Sequence, residues 1–123
     1  MSRLSLAVVE GDEMIKKSVR PKIKVPKRAR VGEVITIKTL IAHPMESGVR
    51  RDENETLIPR DIIKRFEARF EGQVFFFVDL HPAISADPYF SFHFKVPGPG
   101  LFSFHWQDDQ GKSWSLQQGL SVT

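Results

Sequence analysis

Residues 89–106 read YFSFHFKVPGPGLFSFHW, and their alternation decides the fold class. Phe90, Phe92, Phe94 and Val96 alternate with Tyr89, Ser91, His93 and Lys95. Beyond Pro97-Gly98-Pro99-Gly100, Phe102, Phe104 and Trp106 alternate with Ser103 and His105. Successive side chains of a pleated backbone leave opposite faces, so a period of two with aromatic residues on one side reads as strand. Two such runs around a Pro/Gly segment predict a β-hairpin. Matching apolar face to apolar face pairs Val96 with Phe102, Phe94 with Phe104 and Phe92 with Trp106. That register sets His93 opposite His105 on the outer face, about 5 Å apart at Cβ.

Working outward, residues 66–106 hold all ten phenylalanines, one of the two tryptophans and the only tyrosine. Phe66, Ala68 and Phe70 alternate with Arg65, Glu67, Arg69 and Glu71, a strand with one buried and one charged face. Residues 74–80 (VFFFVDL) form the next strand, with Phe75 and Phe77 on one side and Val74, Phe76, Val78 and Leu80 on the other. A strand of a two-layer sandwich has one core-facing side, so Phe75 and Phe77 need a second cover. A partner chain supplies it, or a loop or the N-terminal extension of this chain folds over them. Residues 34–43 (VITIKTLIAH) read as a long central strand, and 19–25 as a first strand stopped by Pro26. Trp114, Leu116, Leu120 and Val122 supply the last. About seven antiparallel strands and no long helix predict an all-β, immunoglobulin-like β-sandwich. Residues 1–18 read as an extension, with a short helix over 12–17, and 19–123 as one domain.

Composition bounds the function. The chain has 123 residues, enough for a single core, and a net charge of +3. It has no cysteine, so no disulfide, thiolate metal site or thiol chemistry resides on it. No apolar run reaches about 18 residues, so no membrane-spanning helix is expected. The opening nine residues are too short for a signal-peptide core, so the chain is expected to lack its own export signal. Residues 16–30 carry eight Lys/Arg and no acid. These are read as strand lysines that blunt an exposed edge, since no stacking aromatic or nucleic-acid motif accompanies them.

Chemistry-bearing clusters are sparse. His43 and His81 each precede proline at a strand exit, where pre-proline residues favour extended backbone. His43 with Met45, or His93 with His105, would suit a periplasmic copper-binding sandwich, which stands as the alternative. No further ligand completes either set. A small enzyme using the long, charged 44–59 loop would need a nucleophile elbow or phosphate loop, and neither is present. No catalytic residue, metal or cofactor is assigned.

Several stretches together resemble one family: IKTLIAHPMESG (37–48), Ile58-Pro59-Arg60, LHPAISADPYF (80–90) and FHWQDD (104–109). They are similar to the Z subunit of the sulfur-oxidation carrier complex, the SoxZ family, over roughly residues 21–116. The resemblance implies a non-catalytic sandwich subunit that pairs with a Y subunit. The Y subunit's C-terminal cysteine carries the sulfur intermediates of thiosulfate oxidation. It further implies docking of the Sox enzymes, and a periplasmic location reached by export together with the Y subunit. His43, Met45, Glu46 and His81 lie in the matching blocks and are assigned to a partner-binding surface. Phe75 and Phe77 join them from the pattern argument alone. Homodimerisation of the isolated chain stays open.

Overall fold

A computed structural model of the chain describes residues 19–43, 46, 48–58, 60–80 and 88–123. Among these residues the protein is all β, with eight strands: β1 Arg20–Lys24, β2 Arg28–Ala29, β3 Val34–Ala42, β4 Ile63–Phe70, β5 Gln73–Asp79, β6 Tyr89–Lys95, β7 Gly100–Asp108 and β8 Ser113–Val122. They form a three-stranded sheet, β1-β3-β6, and a five-stranded sheet, β2-β8-β7-β4-β5. The extension 1–18 and its expected short helix lie outside the described residues, as do Met45 and His81. The eighth strand, β2, has two residues and runs parallel to β8, too short to leave an alternating signature.

The expected hairpin is not formed. β6 pairs with β3, Phe94 opposite Ile35, and β7 pairs with β4 and β8, so the two aromatic runs lie in different sheets. Alternation fixes which face of a strand turns inward, but not which strand lies beside it. The apolar faces meet across the interior instead, Phe94 to Phe102 at 5.2 Å between ring centroids. The Pro97–Gly100 segment also lacks the positive φ of a tight hairpin turn, which the β4–β5 turn does use at Glu71 (φ 50°) and Gly72 (φ 83°). Gly100 is needed for another reason: a Cβ there would stand 2.5 Å from the Phe70 ring.

The core lies between the sheets, and Phe66 is at its centre. Its ring meets Phe90 and Phe92 from the three-stranded sheet and Phe104 and Trp106 from its own, all within 6.5 Å. Burial of each such ring stabilises by roughly 1.5–3 kcal/mol. The inward face of β3 adds Ile35, Ile37 and Ile41, the set its β-branched pattern marks out.

The face assignment of β5 is corrected. Ala68 pairs with Phe76 but Arg69 pairs with Val74, so Phe75 is the extra residue of a β-bulge. The bulge resets the alternation. Phe75 and Phe76 both turn inward, with Phe75 4.5 Å from Phe94 and Phe76 stacked 4.1 Å from Phe92. Phe77 remains outside at 53% exposure. Phe75 therefore needs no second cover, and Phe77 does not share its face. Phe75→Ser should destabilise the isolated chain by about 2 kcal/mol, whereas Phe77→Ser should stay within about 0.5 kcal/mol. Urea denaturation of the two variants tests the bulge, and equal effects would contradict it.

Candidate functional site

One end of the sandwich brings together described residues from three of the stretches that resemble the family. β3 ends at Ala42 and delivers His43; β4 is preceded by Arg60, Asp61 and Ile62; β7 ends in Asp108, followed by Asp109. His43 is buried, as its strand-exit position before proline allows, and its Nε2 lies 3.2 Å from Asp108 Oδ2. A carboxylate only accepts, so Nε2 carries the hydrogen and donates it. The imidazole meets the Trp114 ring edge-on, with centroids 5.7 Å apart. Asp108 is 1% exposed, and its other oxygen, Oδ1, accepts the backbone N–H groups of Gln110 and Lys112 at 2.9 Å each. One carboxylate thus shapes the β7–β8 turn and holds the histidine, which is how a buried charge is tolerated.

Asp109 binds outward. Arg60 donates to it from Nε and Nη2, both at 2.7 Å, and the Ile62 N–H adds a third bond at 3.2 Å. The Arg60 hydrogen bonds hold the Asp109 carboxyl below its usual range. Asp61 lies nearby, its Oδ1 3.9 Å from His43 Nε2, beyond hydrogen-bond reach. Burial, with the charge of Asp108 second, pushes Asp61 above the usual carboxylate range, partly opposed by His43. Glu46 bridges backbone to backbone with Asp61 and accepts two hydrogen bonds from Arg50, at 3.1 and 2.6 Å. His43, Glu46, Arg50, Asp61, Asp108 and Trp114 border a cavity of about 310 Å³.

The described residues of the long charged loop are hydrogen-bonded to one another. Arg51 bridges to Leu57, and Asp52 Oδ1 accepts the N–H groups of Asn54 and Thr56. The bond pattern is that of a small folded-back arm between β3 and β4.

Sequence-assigned residues divide accordingly. The structure brings His43 and Glu46 to the same cavity, while Met45 and His81 fall outside the described residues. Phe77 sits on β5, the edge strand of the larger sheet, with the Arg65 guanidinium 4.4 Å above its ring. The His93–His105 pair does not exist. His93 bonds Thr36 on one outer face, and His105 bonds Ser115 on the other. Among the described residues, those able to approach a cation together are His43, Asp61 and Asp108, whose ligand atoms lie within 4.8 Å of one another. One nitrogen and two carboxylate oxygens would suit zinc or manganese rather than cuprous copper. Asp108 was legible only as a residue of the FHWQDD block, and Asp61 was not singled out at all, because what joins them to His43 is tertiary.

Opposite pH dependences follow for the two outer carboxylates. Asp109's folded value is depressed, so its stabilisation is present above the ordinary value of about 4 and is lost as pH falls through the folded value. Asp61's folded value is raised, so stability is gained as pH falls through that value and lost above it. Asp109→Asn should lower stability at neutral pH, and Asp61→Asn should raise it, with both differences shrinking in acid. Denaturation midpoints across this range check both signs. His43→Ala, which strands a buried carboxylate oxygen, should cost about 1–3 kcal/mol.

The family model described as sulphur oxidation protein SoxZ matches residues 23–118, which span both sheets and this end of the sandwich. In fold the chain is similar to superoxide reductase (neelaredoxin) from Ignicoccus hospitalis. The T24K form gives a TM-score of 0.67 at 16% identity, covering 91% of this chain and 87% of that one. A second structure of that protein gives 0.65 at 16%, covering 92% and 89%. At such identity the likeness concerns the fold alone. Comparison with curated proteins finds no match.

Proposed function

The chain belongs to the SoxZ family of sulphur oxidation proteins, and on that premise we propose that it is the non-catalytic half of a heterodimeric sulfur carrier. It pairs with a Y subunit whose cysteine carries the covalent intermediates of thiosulfate oxidation, and it helps dock the Sox enzymes that process them. The family match is the observation that carries this reading. The chemistry agrees with it. This chain has no cysteine, so a covalently held sulfur must sit on another chain. The reading includes a periplasmic location, reached together with the Y subunit.

Two surfaces support a pairing role. β5 ends the five-stranded sheet, and its outward face carries Val74 and Phe77, 43% and 53% exposed. An edge strand with exposed apolar side chains is a ready template for another chain. Around the cavity, His43 and Asp108 are locked by hydrogen bonds, so that end presents a fixed shape to a docking protein.

Light scattering of this chain mixed with a Y-type subunit from the same source tests the proposal. The expected result is a one-to-one complex whose partner cysteine accepts sulfur. Phe77→Ser should weaken the complex by at least about tenfold, or about 1.4 kcal/mol, without lowering the stability of the chain itself. A chain that ignores the Y-type subunit would overturn the carrier reading.

A further inference from the structure

The outer face of the three-stranded sheet carries its charge differently from the Arg65–Arg69 stretch of the opposite face. β1, β3 and β6 contain no acidic residue. Their outward positions include Arg20, Lys22, Lys24, Lys38 and Lys95, all exposed, and among the described residues none of the five makes an ion pair. On the opposite outer face Arg65 and Arg69 are both neutralised, by Glu67 and Asp79.

The register sharpens the contrast. Lys24 stands directly opposite Lys38, with Ser91 beyond it on β6. Like charges in cross-strand register, about 5 Å apart at Cβ, destabilise a sheet. Edge protection accounts for lysines on β1, but Lys38 lies on β3, the central strand, where no edge needs blunting. The adjacent row is Lys22, Leu40 and Tyr89, and Tyr89 is 56% exposed. Between these rows lies a depression of about 300 Å³ bordered by Lys22, Lys24, Lys38, Leu40 and Tyr89.

We propose that this face is a docking surface for an acidic protein, which sets carboxylates on the lysines around an apolar side chain seated against Leu40 and Tyr89. A tyrosine with a neighbouring aliphatic residue inside a charged rim has the anatomy of a protein-binding hot spot. Nucleic acid is less well suited, because single strands stack on several aromatics and, among the described residues, Tyr89 is the one Phe, Tyr or Trp on this face. The surface is of the transient kind: permanent subunit interfaces are more apolar, and charge of this density chiefly speeds encounter. It is therefore separate from the β5 edge, and it does not depend on the carrier reading.

The probe is a labelled, glutamate-rich synthetic peptide with one central phenylalanine, followed by fluorescence anisotropy at increasing salt. Binding should weaken steeply with salt. Lys38→Glu should reduce affinity at least about tenfold while raising the melting temperature, since the new carboxylate pairs with Lys24 across the strands. Tyr89→Ala should reduce affinity while leaving the salt dependence unchanged. The proposal is overturned if Lys38→Glu leaves affinity intact, if Tyr89→Ala has no effect, or if an oligonucleotide or phosphatidylglycerol vesicles of matched charge bind more tightly than the peptide. It is also overturned if the peptide binds only after removal of residues 1–18, whose own acids would then be the occupant. Mixing Lys38→Glu with a Y-type subunit separates the two readings. Intact assembly keeps the face transient, and lost assembly makes it the permanent interface and overturns the proposal.

Discussion

Everything in this molecule depends on filling one interior with phenylalanine contributed by both sheets. Phe66 is 0% exposed and touches rings from each layer, so neither sheet completes its core without the other. That requirement explains the bulge in β5. A regularly pleated VFFFVD strand would turn Phe75 outward; one extra residue turns both Phe75 and Phe76 inward to meet Phe94 and Phe92. A bulge costs a ladder position but recovers apolar burial of roughly 1.5–3 kcal/mol for the added ring. Gly100 answers to the same constraint, since Phe70 occupies the space a side chain there would need.

The loop end follows a second constraint, that buried charge be hydrogen-bonded. Asp108 and Asp109 are adjacent in sequence and take opposite tasks. Asp108 points inward and binds His43 together with two backbone N–H groups; Asp109 points outward to Arg60. Between them the two carboxylates tie the end of β7 to the exit of β3 and the entry of β4. Among the described residues Asp61 has no comparable set of donors, and its carboxyl is pushed upward while that of Asp109 is held down. The contrast between these near neighbours comes from hydrogen bonding and burial, not from residue type.

Strand character, the inward faces of β3, β4, β6 and β7, and the all-β class were legible because a period of two is written directly in the sequence. Strand neighbours were not. The run from Tyr89 to Trp106 is equally consistent with a hairpin and with two strands facing each other across a core, and the second is realised. Three consecutive phenylalanines concealed the bulge, because any one of them can occupy an inward position. At the site, His43 was recognisable as a strand-exit residue, but its partner lies 65 positions away. Arg60 and Asp109 both fell in stretches marked by family resemblance, yet only the fold sets them 2.7 Å apart. Local pattern carries local geometry; charge pairs across loops are products of the finished sandwich.

The two outer faces then separate what stabilises the protein from what it presents. On the larger sheet, Arg65, Glu67, Arg69 and Asp79 neutralise one another, and Phe77 lies beneath Arg65. Exposed pairs of this kind contribute little to stability, typically below about 1 kcal/mol, but they leave that face electrically quiet. An electrically quiet face with a half-exposed aromatic on an edge strand is suited to a lasting, largely apolar contact. The smaller sheet keeps Lys24 against Lys38 and offers no carboxylate to either. Because a single acid at position 38 would relieve that repulsion, its absence is not required by folding. Charge that the fold would be more stable without is best understood through what it attracts from outside the molecule.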